Sequence, residues 1–147
     1  MRTPKINIGP LLKEIKLFGD EANRFSIAIT NSTAEDIVTD AKQRSPVDLG
    51  QLRQSIGKTE AREGFNRSFI FANAPYAAYI EFGTGGEVSI PKGFESIASE
   101  FKGKGIKKIN IKPQPYLIPA YLIGITQYRK KLNEVLKRLV EKYNAKK

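Results

Sequence analysis

Ala22, Phe25, Ile29, Thr33, Ile37 and Ala41 recur at spacings of three and four. One apolar stripe of this period predicts a long helix from an N-cap at Asp20 to about Arg44, weakened but not broken at Asn31, Ser32 and Thr33. Upstream, residues 1–19 read as an amphipathic arm carrying Ile6, Ile8, Leu11, Leu12, Ile15, Leu17 and Phe18. Pro10 suits the first turn of a short helix, Leu11 to Phe18, that ends at Gly19. The other clear helical period follows Pro119, which again fits a first turn. Leu122, Ile125, Tyr128, Leu132, Val135, Leu136, Leu139 and Tyr143 share a face, with Lys and Arg opposite, and residues 144–147 fray.

Between these helices the pattern shortens. Ser45-Pro46 stops the first helix, because the residue before proline is driven out of the helical region and proline has no amide to give. Asp48, three residues before Gln51, has the spacing of a capping box. It predicts a short helix from Leu49 to about Ser55, with Leu52 and Ile56 on one face, Arg53 and Gln54 outward, and Gly57 as its end. Residues 58–73 predict a hairpin that turns at Glu63-Gly64-Phe65-Asn66 into the aromatic limb Phe69-Ile70-Phe71. In "APYAAYIEFGTGG" strand and helix are hard to separate. Ala74-Pro75 can open a helical turn that puts Tyr76, Tyr79 and Ile80 on one face and is released at Gly83. Residues 85–111 are Gly- and Lys-rich, with a short amphipathic piece from Phe94 to Phe101, and predict a long mobile loop. Ile109 and Ile111 alternate with polar residues before three prolines, an edge strand leading into a fixed turn. The expected architecture is α+β: one domain over residues 1–147, with a core at 20–143, in which a small antiparallel β-sheet packs against long N-terminal and C-terminal helices.

The chain has 147 residues, no cysteine and no histidine. That inventory removes disulfides, thiolate nucleophiles, Cys/His zinc sites and histidine bases before spacing is considered. The formal charge of +10 is uneven. Residues 102–147 hold 13 Lys and Arg against Glu134 and Glu141, whereas the first 101 residues are nearly balanced. A basic third of this kind binds nucleic acid or an acidic protein surface, or is a solvated helix face. No apolar run is long enough for a membrane span, and the opening residues lack a signal peptide's apolar core, so a cytoplasmic origin is expected.

Paired carboxylates at Asp48 and Glu81 are the one catalytic device the inventory leaves open, but a cap role for Asp48 and a rim position for Glu81 are the plainer readings. Ser45 and Ser55 have no histidine to activate them. "GTGG" at Gly83–Gly86 lacks the Lys-Ser/Thr of a phosphate loop and reads as a turn. Phe69, Phe71, Tyr76, Tyr79 and Phe82 could stack nucleobases, yet aromatics more often build core.

Three stretches in this order resemble the small neck, or tail-completion, proteins of tailed bacteriophages, the head-tail joining or minor tail components. The first match is Ser45, Pro46, Val47, Asp48, Gly50, Leu52, Arg53 and Ser55. The second is Pro75, Tyr76, Ala77, Tyr79, Glu81, Phe82, Gly83 and Thr84. The third is Pro115, Tyr116, Leu117, Pro119 and Ala120. Leu49 replaces the family's usual threonine, and the 85–111 segment is longer than the pattern expects. The resemblance implies a non-enzymatic virion protein without cofactor or metal, assembled in the host cytoplasm into a homo-oligomeric ring, a hexamer, at the head-tail junction. Its implied partners are its own copies, head-connector or adaptor proteins, and tail-terminator or tail-tube proteins, with DNA passing through the lumen and no membrane involved. Arg53, Lys104, Lys107, Lys108, Lys130, Lys131 and Lys137 are the candidate inter-subunit residues. The alternative class is a basic nucleic-acid-binding module, marked by salt-sensitive DNA binding.

Overall fold

A computed structural model of the protein describes residues 8–47, 50–99 and 110–145. The arm and the first stripe form one continuous helix, α1 (Gly9–Arg44), 36 residues long and about 54 Å from end to end. Gly19 is therefore no stop and Asp20 no cap. An interior glycine costs about 1 kcal/mol relative to alanine, and anchored residues on either side offset it. Phe18 meets Tyr143 edge-on at 5.3 Å between ring centroids. Glu21 accepts from Lys142 Nζ at 2.6 Å and from the Tyr143 hydroxyl at 3.1 Å. The helix ends where Ser45-Pro46 predicts, with Ser45 extended.

The basic C-terminal period forms α5 (Leu117–Asn144), antiparallel to α1. Phe18 and Glu21 lie beside its far end. Asp36 pairs with Lys131 at 2.9 Å midway along. Gly124 crosses Ile37 so closely that a β-carbon there would stand 2.1 Å from Ile37 Cγ1. The covered face keeps Ile125, Tyr128, Leu132, Val135, Leu139 and Tyr143 of the expected stripe and extends it at the helix start. Ile118, Ala120, Gly124 and Leu139 are buried, while Leu122 and Leu136 remain in solvent. Among the described residues no helix is long and apolar enough to cross a membrane.

Between the long helices come α2 (Gln51–Ser55), β1 (Ile56–Lys58), β2 (Ile70–Ala72) and α3 (Ala77–Phe82), then a one-turn 3-10 segment at Gly85–Glu87 and α4 (Glu95–Ser99). The expected hairpin is present. β1 and β2 pair antiparallel with Gly57 opposite Phe71, and Arg62 and Phe65 bridge the turn. Gly57 is thus a strand residue, not a helix stop. Phe71 lies across it, only 2.9 Å from where a β-carbon would be. Gly50, at φ 69°, holds the N-cap position of α2, so that helix starts two residues later than the capping box implies. Asp48 and Leu49 lie outside the described residues.

Ile56 points into a core with Ile37, Val38, Ala41, Leu52, Ala77, Tyr116 and Ala120. The start of α5 thereby joins α1 in covering the sheet. Asn31, which weakens the helical pattern, ties the hairpin to α1. Its amide donates to the Ala61 carbonyl at 2.9 Å and its Oδ1 accepts the Ala61 N–H at 2.7 Å. Of the expected 85–111 loop, residues 100–109 lie outside the described residues, with Lys104, Lys107 and Lys108 among them. Ile109 does too, and Asn110 to Tyr116 is irregular backbone, not an edge strand. Its amides go to α3 and the turn after it.

Candidate functional site

The second and third sequence motifs meet where α3 holds the start of α5. Glu81, 6% exposed, spends its carboxylate entirely on backbone. Oε2 accepts the N–H groups of Tyr116 and Leu117 at 2.9 Å each, and Oε1 accepts that of Ile118 at 3.0 Å. A helix start leaves four amides without intrahelical partners. Here Tyr116, Leu117 and Ile118 donate to Glu81, and the next residue, Pro119, has no N–H. The account closes with no donor left over, and the negative charge sits at the positive end of the α5 dipole. Tyr116, almost fully buried beside this carboxylate, has its phenol pushed well above its ordinary value by burial and by the Glu81 charge.

The residues after Glu81 hold the approach to α5. Gly83 adopts φ 77° and ψ −179°, a region closed to side chains, and a β-carbon there would lie 2.7 Å from the Ile111 carbonyl oxygen. Thr84 pairs with Ile111 twice. Its N–H donates to the Ile111 carbonyl at 2.9 Å, and its Oγ1 accepts the Ile111 N–H at 2.9 Å. The Gln114 N–H donates to the Ile80 carbonyl at 2.8 Å. Ile80, Glu81 and Thr84 thus bond to the segment from Ile111 to Ile118, and Phe82 packs with Ile118. Tyr76 occupies the N-cap position of α3. Pro75 and Pro115 are exposed, flanking the elements they open.

The first motif is a separate corner. Ser45 is buried, its Oγ donating to the Lys42 carbonyl at 2.8 Å. Leu52 is core, and Ser55 Oγ donates to the Leu52 carbonyl at 2.7 Å. Arg53 does not face outward. Its guanidinium bends back to the Ser45 carbonyl at 3.3 Å and Oγ at 3.5 Å. Of the other inter-subunit candidates, Lys131 is paired with Asp36, whereas Lys130 and Lys137 are exposed on the outer face of α5. The carboxylate reading of Glu81 finds its oxygens occupied by amides. The sequence marks Asn31 only as a weak point of its helix, and gives no sign of the roles of Gly124 and the buried Tyr116. At Gly124, as at Asn31, the readable signal is only that of a helix-weakening residue inside an otherwise strong period.

Within this α+β frame the residues of the second and third motifs hold one another's backbone. Residues 11–83, about half of the chain, match the HK97-gp10-like family model, described as "Bacteriophage HK97-gp10, putative tail-component". Over that span the chain matches a phage structural family, and the span covers the first motif and the second as far as Gly83. No curated protein and no solved structure matches it.

Proposed function

We propose that this protein is a neck or tail-completion component of a tailed phage, a ring of six copies at the head-tail junction, without catalytic activity. The observation that carries the reading is the Glu81 clamp. Among the described motif residues the buried carboxylate, Glu81, is consumed in fixing where α5 starts, which supports reading the motifs as a rigid frame. The ring's partners are head-connector or adaptor proteins on one side and tail-terminator or tail-tube proteins on the other, with DNA in the lumen. Assembly takes place in the host cytoplasm and the finished ring stays in the virion. A closed ring needs two different, complementary patches on each subunit, and the near-balanced first two-thirds and basic last third of the chain supply unlike potentials.

Electron microscopy of the purified protein tests this directly. Rings that bind isolated tails or heads are the expected result. Particles that mature with joined tails in its absence would overturn the proposal. Steeply salt-dependent DNA binding by the isolated chain, with no rings, would favour the nucleic-acid-binding class instead.

A further inference from the structure

Among the described residues two apolar features lie unpartnered at opposite ends of the molecule. At one end α1 runs past the end of α5, because Phe18 already stands beside Tyr143. On this overhang Ile8, Leu11, Leu12 and Ile15 are each more than half exposed. Their spacing of i, i+3, i+4 and i+7 continues the face that packs on α5 farther along. At the other end a groove of about 610 Å3 opens between β2, α3, α4 and the start of α5. Phe69, Ile97 and Tyr121 on its lining are themselves largely exposed. We propose that the α1 overhang of one copy docks as an amphipathic helix in this groove of a second copy. This deepens the ring reading above and rests on it.

Apolar anchors at this spacing are what helix-in-groove recognition uses. The overhang cannot serve its own groove. Leu12 and Ile37, the latter in the core beside the groove's Tyr116, are 25 residues apart on one helix, about 38 Å. Charge selects the same pairing. The overhang carries Lys13 and Lys16 against Glu14. On the groove side Glu87 and Glu95 stand against Lys92, Glu81 being spent on the α5 amides. Two overhangs meeting would set basic ends together, whereas overhang to groove joins unlike charges. The contact is head-to-tail, the type that a ring requires.

Two double variants separate the surfaces: Leu12→Glu/Ile15→Glu on the overhang, and Phe69→Glu/Ile97→Glu in the groove. All four positions are exposed, and circular dichroism verifies folding. By size-exclusion chromatography with light scattering, the wild type is expected to assemble and each variant alone to be monomeric. Mixed, the two variants should form a 1:1 dimer through the one intact pair of surfaces. Variants that assemble like the wild type overturn this contact and leave the neck reading standing. A wild-type chain that stays monomeric overturns the contact as well, and the neck reading is then judged by the protein's presence in particles. Protection of the Ile70 and Ala72 amides from hydrogen exchange on assembly would mean that a strand adds to β2, and would also overturn helix docking.

Discussion

The Glu81 carboxylate accepts the Tyr116 N–H at 2.9 Å across 35 residues of sequence, joining the end of α3 to the first turn of α5. Because three donors, two buried and one partly so, depend on this one side chain, Glu81→Ala leaves all of them without it. A loss of about 3–5 kcal/mol is expected in urea unfolding. Glu81→Gln keeps one acceptor oxygen and should lose roughly half as much. Equal stability of Glu81→Ala and the wild type would show that α5 starts without the clamp.

Tyr116 gives the fold an alkaline limit. Its ordinary phenol value is 10.0, and the folded value lies higher because burial and the Glu81 charge both oppose ionisation. Below about pH 10 both states keep the proton and the full stability is present. As pH rises beyond that, the unfolded phenol ionises first, so stability falls by up to about 1.4 kcal/mol per pH unit from this group. Urea midpoints from pH 8 to 11 should show the decline, and Tyr116→Phe should flatten it. An unchanged slope in that variant would assign the decline to other groups.

Gly124 sets the approach of the long helices. In Gly124→Ala the new methyl would stand 2.1 Å and 2.5 Å from Ile37 Cγ1 and Cδ1. Overpacking of this kind costs about 1–3 kcal/mol, more than alanine's helix propensity returns. Ile37→Ala removes both clashing atoms at the expense of a cavity. In the double variant the Gly124→Ala penalty should vanish, giving a coupling energy above about 1 kcal/mol in a double-mutant cycle. Additive losses would place the helices farther apart than described.

The two long helices were legible because each keeps an apolar period over many turns, and the hairpin because turn residues divide two β-prone runs. Tertiary contacts decided the rest. Gly19 reads locally as a stop, yet Phe18 and Glu21 are tied to α5 on either side of it, so α1 runs on. Ile109 and Ile111 alternate like a strand, but Thr84 takes both the N–H and the carbonyl of Ile111 before any ladder forms. Arg53 looks like an outward charge on a short helix and bends back to Ser45 instead. At the clamp, the sequence separates Glu81 from Tyr116 by a Gly- and Lys-rich stretch. Only the resemblance of both motifs to one family links them before the backbone brings them together.

The lysines of α5 divide by partner, and this division can be measured. Lys131 is bonded to Asp36 with both side chains substantially exposed, a pair worth at most about 1 kcal/mol. Lys131→Glu therefore lowers monomer stability slightly, by placing two acids together. Lys130 and Lys137 point away from α1, so Lys130→Glu/Lys137→Glu should change monomer unfolding by no more than about 0.5 kcal/mol. If the outer face of α5 meets an acidic surface in the ring, that double reversal weakens assembly at low salt. Its deficit should shrink toward 1 M salt, where screening acts within about 3 Å. Light scattering across a salt series checks both statements. Normal assembly of the double reversal at moderate salt would remove the outer face of α5 from the ring contacts and leave the neighbour-facing charge to Lys13 and Lys16 on the overhang.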